Sequence, residues 1–135
     1  VLTKMDLYTV YYVNSGRNLF FGFRLYSIFD EGIPDNANRV SDYYFTWPYQ
    51  VMVTTVYKFP AGYSMETIPK TKQVQFSFAA YSCNYSWDAA AHTLTSIAVL
   101  QVKDRIIKAT DYTKLLDFKK QVMADVNEKI VMKKE

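Results

Sequence analysis

Between Val74 and Trp87 the chain alternates: Val74, Phe76 and Phe78 are separated by Gln75 and Ser77, and Tyr81, Cys83, Tyr85 and Trp87 by Ser82, Asn84 and Ser86. A period of two puts one set of side chains on one face of a strand and the other set on the opposite face. The stretch therefore predicts half-buried strands of an antiparallel sheet. Asp88-Ala89-Ala90-Ala91-His92 reads as a hairpin connection into a long strand from Thr93 to about Val102. Residues 7–13, 19–28 and 51–59 are apolar, β-branched or aromatic enough to be strands as well. Several of these are apolar on both faces, which points to a sandwich or to a sheet covered by a second layer.

Turn residues divide the runs. Asn14-Ser15-Gly16-Arg17-Asn18 joins the first two strands, and residues 31–38 form the longest polar break. Pro60-Ala61-Gly62 is a tight turn that reverses the chain after the 51–59 strand, because Pro fixes φ and Gly accepts φ > 0. Pro69 ends the short strand 63–68. Only the C-terminus reads as helix. Thr110 is placed to cap it and Asp111 sits at the positive end of its dipole. Tyr112, Leu115, Leu116, Val122, Met123, Val126 and Ile130 then recur at spacings of three and four, while Lys114, Asp117, Lys119, Lys120 and Asp125 are assigned to the other side. The expected architecture is mainly β: an antiparallel β-sandwich with one C-terminal amphipathic α-helix packed on the sheet. Strands occupy about 7–109 and the helix about 111–127 of a single domain, residues 1–135.

Composition removes several function classes. Half of the 135 residues are apolar and 17% aromatic, with 21% charged, which excludes a disordered chain. One cysteine cannot form an internal disulfide, and with one histidine it cannot supply an ordinary zinc site. No cofactor or metal is expected. No apolar run approaches the roughly 20 residues of a membrane-spanning helix. The formal charge is +3, yet residues 1–100 are balanced and the excess lies wholly in residues 101–135. That is a solvated tail and not a nucleic-acid groove. The start, Val1-Leu2-Thr3-Lys4-Met5-Asp6, has no signal-peptide pattern and reads as the trimmed end of a larger protein.

Four constellations bear on chemistry. Cys83 and His92 are the single thiol-type nucleophile–base combination. Cys83, however, alternates in step with Tyr81, Tyr85 and Trp87, as a small buried hydrophobe does, and no helix N-terminus follows to lower its pKa. No catalytic residue is expected. Phe21-Gly22-Phe23 overlaps the aromatic half of an RNA-recognition strand, but the loop after the first strand is too short for the helix that fold requires. Asp30, Glu31, Asp35 and Asp42 match no calcium loop. Tyr43-Tyr44-Phe45-Thr46-Trp47-Pro48-Tyr49 places five rings in seven residues. If exposed, Tyr43, Tyr44, Trp47 and Tyr49 form a binding surface for sugar rings or a protein partner; if buried, they are core.

One stretch carries a family resemblance. Phe59-Pro60-Ala61-Gly62-Tyr63-Ser64-Met65-Glu66-Thr67-Ile68-Pro69-Lys70 resembles a segment of bacterial transglutaminase-like proteins, in which a strand ends in Pro-x-Gly-Tyr and is followed by an acid and Pro-Lys. Thr93-Leu94-Thr95, Asp111-Tyr112, Leu115, Phe118 and Asn127-Glu128-Lys129-Ile130-Val131 extend the likeness over roughly residues 45–135. The matching region is the uncharacterised domain that follows the transglutaminase-like core. The resemblance implies a non-catalytic accessory domain of an exported bacterial protein, periplasmic or at the cell surface. It would act in domain docking or protein interaction, its partner being the neighbouring transglutaminase-like domain. A carbohydrate or cell-envelope binding module built on the Tyr43–Tyr49 aromatics is the second expectation.

Overall fold

The alternating stretch supplies one edge strand and one central strand of a sheet. This computed structural model describes residues 4, 12–22, 28, 29 and 32–135; the expected strand segments 7–11 and 23–27 lie outside the described residues. In chain order the strands are β1 (Tyr12–Ser15), β2 (Asn18–Gly22), β3 (Tyr43–Tyr44), β4 (Tyr49–Lys58), β5 (Tyr63–Thr67), β6 (Lys72–Gln75), β7 (Ala79–Asp88), β8 (Thr93–Val102) and β9 (Ile106–Ile107). A 3-10 turn at Ala109–Asp111 leads into helix α1 (Tyr112–Val126), and β10 (Lys129–Lys134) closes the chain. The molecule is mainly β with antiparallel sheets and one C-terminal helix, as its alternation and composition predicted.

The large sheet has the order β4-β8-β7-β6. Its register produces rows of side chains across one face: Val51–Leu100–Tyr81–Val74, then Val53–Ala98–Cys83, Thr55–Ser96–Tyr85 and Tyr57–Leu94–Trp87. This face is covered in two parts. Over the first rows lies α1, which buries Tyr112, Leu115, Phe118 and Val122. Phe118 is the plug: the rings of Phe29, Phe76 and Phe78 stand edge-on to it at 5.6, 5.8 and 6.2 Å, the arrangement favoured by aromatic quadrupoles. Over the last row lies the second sheet, of order β1-β2-β10-β5, whose Ile130 and Met132 form a separate core with Tyr57 and Leu94. Sheet thus faces sheet at one end and helix faces sheet at the other.

The hairpins follow local chemistry. Gly16 (φ 64) turns β1 into β2, and that short link leaves no room for a helix between them. At the β7–β8 turn the Asp88 side chain accepts from the N–H groups of Ala90 and Ala91 at 2.9 and 3.0 Å, and His92 takes the left-handed conformation (φ 49) that a glycine usually fills. Gly62 (φ 92) supplies the turn after β4.

Four expectations are corrected. The strand after Gly62 does not return beside β4; β5 crosses to the second sheet and pairs with β10. Ile130 is not the last residue of the helical stripe but an inward residue of β10, because the chain leaves the helix at Asn127. Thr110 does not cap: the helix is preceded by a 3-10 turn, and the Ala109 N–H is satisfied from a distance by Asp42 Oδ1 at 2.9 Å. Asp125, assigned to the solvent side of the helix, is 3% exposed and faces the large sheet.

Candidate functional site

The two halves of the core meet at a polar seam. The row Thr55–Ser96–Tyr85 sits where α1 gives way to the second sheet, and Tyr85 packs against both hydrophobic clusters. Asp125 reaches this row from the last turn of α1. Its Oδ1 accepts from the Tyr85 hydroxyl at 2.7 Å and its Oδ2 accepts from the Tyr81 hydroxyl. Cys83, fully buried, lies between the two tyrosines on the same face of β7. Burial first, then hydrogen bonding and charge from Cys83 and Asp125, hold the Tyr85 phenol far above its usual range. Both tyrosine hydroxyls donate, and the carboxylate is held by two O–H groups from one strand. Chemically this is a clasp between helix and sheet.

Sequence reasoning missed this group although its spacing was visible. Leu115, Phe118, Val122 and Asp125 follow one another at three, four and three residues, so Asp125 continues the buried stripe. Its charge argued for solvent; the two phenols on β7 reverse that preference.

The aromatic run 43–49 divides. Phe45 is 1% exposed and its ring meets those of Tyr43 and Tyr49 edge-on at 5.1 and 6.5 Å. Tyr43 and Tyr49 are half-buried against the main core. The Arg39 guanidinium lies 5.5 Å from the Tyr43 ring centroid and 5.2 Å from that of Tyr112, within cation–π range of both. It is fixed there by bonds to the Ser41 and Asp42 carbonyls. Tyr112 in turn donates to the Pro34 carbonyl, and Lys119 donates to that of Ile33 at 3.0 Å. The segment 33–45 is thereby strapped across the start of α1.

Tyr44 and Trp47 point the other way, 60% and 69% exposed. Tyr44 pairs with Ile106 of β9, itself about half exposed, while the residue that follows each in the chain, Phe45 and Ile107, is buried. Tyr44 and Ile106 therefore stand exposed on backbone whose following residues are buried. Of the four residues named from the sequence, Tyr44 and Trp47 are exposed, whereas Tyr43 and Tyr49 pack against the core.

Cys83 and His92 form no dyad. Cys83 is opposite Ala98 in mid-sheet, whereas His92 lies in the hairpin beyond Asp88. Five residues of β7 separate Cys83 from that end, roughly 17 Å at about 3.4 Å per residue. His92 packs instead against the Trp87 ring at 6.4 Å. Among the described residues no group of three or more His, Cys, Asp or Glu side chains is placed to hold a metal ion, and no helix is long and apolar enough to cross a membrane.

Comparison with curated proteins and with solved structures returns no match. The model of one sequence family, DUF3858, described as a domain of unknown function with a solved structure, matches residues 18–132. That span runs from the first residue of β2 to Met132 of β10 and takes in the large sheet, the helix and the clasp. The chain belongs to the DUF3858 family.

Proposed function

We propose that this domain is a non-catalytic accessory module of a transglutaminase-like protein and docks on a neighbouring domain through Tyr44, Trp47 and Ile106. The observation that carries the reading is Trp47, 69% exposed on a segment whose flanking rings are built into the core. A large ring held out on rigid backbone loses little entropy when a partner covers it. The transglutaminase-like context and an exported location rest on the 59–70 segment and the C-terminal likeness. The clasp supports the assignment in a different way: its groups are engaged in holding the helix to the sheet.

The test is titration calorimetry of the chain against a purified transglutaminase-like core domain, with Tyr44→Ala/Trp47→Ala as the variant. Binding by the parent chain and its loss in the variant, with an unchanged thermal midpoint, is the expected result; a central aromatic anchor typically accounts for about 2 kcal/mol or more. Equal binding by both proteins overturns the docking surface. The flat exposed Trp47 ring also suits stacking on a sugar. Retention on insoluble cell-wall glycan that depends on Trp47, without binding to the core domain, replaces docking by that second reading.

A further inference from the structure

The outward face of the large sheet carries an inference independent of the aromatic surface. Side chains alternate along a strand, so the residues turned away from α1 and the second sheet form a face of their own. Four successive rows of it, from Gln50–Gln101–Ala80–Gln75 to Val56–Thr95–Ser86, hold fourteen side chains. None of the fourteen is charged, although 21% of the chain is, and none is buried. Charge returns only in the next row, Lys58–Thr93–Asp88. An ordinary soluble surface carries about 25–35% Lys, Arg, Glu and Asp. The centre of a protein interface, by contrast, is depleted of charge.

The apolar members of this face are contiguous. Met52, Val56 and Ile97 are 67%, 54% and 39% exposed. Val99 lies directly opposite Met52, and Ile97 lies opposite Thr54. Ile97 is therefore diagonal to both Met52 and Val56, within reach of each at about 7–8 Å. Two features select a second copy as the cover. The first is the lack of charge: a two-fold interface sets a patch against its own image, and this patch holds nothing that repels itself. The second is size. Three strands of ten residues and one of four, at about 3.4 Å per residue and about 4.8 Å between strands, make a face of roughly 550 Å². Two such faces bury about 1,100 Å², just above the roughly 1,000 Å² that a specific interface needs. With the two-fold axis between the sheets, along the Thr54–Ile97–Asn84 row, Ile97 meets Ile97 and Met52 lies over Val56 of the second copy.

We infer that the outward face of the large sheet is a homodimer interface, in which two sheets pack face to face about Ile97. Aligned packing of this kind is the ordinary way for two apolar sheet faces to cover each other. The area is at the small end for a specific complex, so the association is weak and reversible.

Sedimentation velocity of the full chain over roughly 5 to 500 μM tests it, since a small interface dissociates within that range. The expected result is a concentration-dependent monomer–dimer equilibrium. Ile97→Lys sets two like charges together at the axis, and Val56→Lys sets a charge over Met52; each variant is monomeric throughout the range. Ile97→Glu alone is monomeric for the same reason, but an equimolar mixture of Ile97→Lys and Ile97→Glu chains associates, because opposite charges then meet at the axis. The Tyr44→Ala/Trp47→Ala variant keeps the equilibrium of the parent. Thermal melts confirm that every variant is folded. A parent chain that stays monomeric overturns the proposal, as does a dimer that survives Ile97→Lys or one that is lost with Tyr44 and Trp47. Failure of the mixed chains to associate overturns it as well. A monomeric parent that instead binds a transglutaminase-like core domain, with binding lost in Ile97→Lys, gives the face to that domain and overturns the dimer.

Discussion

The Tyr85 hydroxyl donates to Asp125 Oδ1 at 2.7 Å across forty residues of sequence, from the middle strands of the large sheet to the last turn of the helix. With Tyr81 on the other oxygen, this contact fixes both where the helix lies along the sheet and how it is rotated. Removal of the acceptor leaves two phenols without it in a poorly solvated place. Asp125→Ala is expected to cost about 2–4 kcal/mol, and Asp125→Asn, which keeps one acceptor oxygen, about 1–2 kcal/mol. Urea unfolding of the two variants checks this. A loss below about 0.5 kcal/mol for Asp125→Ala would show that the clasp does not hold the helix.

The same contact predicts alkaline behaviour. The Tyr85 phenol is raised by burial, then by Cys83 and Asp125; the Tyr112 phenol is raised by burial and by Asp35, with Arg39 partly opposing. Below about pH 10 both are neutral in folded and unfolded chains alike, and stability does not depend on them. Above that value the unfolded tyrosines lose protons that the folded ones keep, so unfolding releases protons and stability falls as pH rises. The slope is at most about 1.4 kcal/mol per pH unit for each group, and less for half-buried Tyr85. Urea midpoints between about pH 8 and about pH 11 should decline less steeply in Tyr85→Phe than in the parent chain. Parallel declines would remove Tyr85 as a source.

Phe118 bears on how the helix is held. It is fully buried among three phenylalanines drawn from two separate segments, Phe29 and the β6–β7 link, so truncation opens a cavity that neither segment alone can close. Phe118→Ala is expected to cost about 3–5 kcal/mol, and Phe118→Leu distinctly less. Leu116, by contrast only half-buried at the margin of the core, should tolerate alanine at about 1 kcal/mol. Equal losses at 116 and 118 would mean that the helix is rotated from the described position.

Trp47 is checked by light. In a Trp87→Phe variant the remaining indole is the 69% exposed one. Its emission should be red-shifted and freely quenched by acrylamide, and both properties should revert when a partner covers the ring. Protected, blue-shifted emission from the free domain would place Trp47 in the core and withdraw the docking surface.

How much of this was legible in the chain depends on how local the deciding physics is. The β7–β8 hairpin was visible because alternation, the Asp88 turn and the return strand all lie within twenty-four contiguous residues, Ala79–Val102. The clasp was not, because a carboxylate in a helix prefers water until phenols from another segment are set against it. The aromatic run shows the same division. Five rings in seven residues announce a cluster, but strand pairing with β9 decides that Phe45 turns inward and Tyr44 outward.

The sequence by itself determined the β7–β8 hairpin, the place of the helix and the inward face of β7, because period-two and period-three-to-four patterns are properties of neighbouring residues. Tertiary structure alone decided that β5 leaves β4 for β10, that the chain ends as a strand between β2 and β5, and that Asp125 is buried. Each of those outcomes rests on contacts between residues forty or more positions apart. Their partners become neighbours only once the helix and both sheets have assembled over the same face.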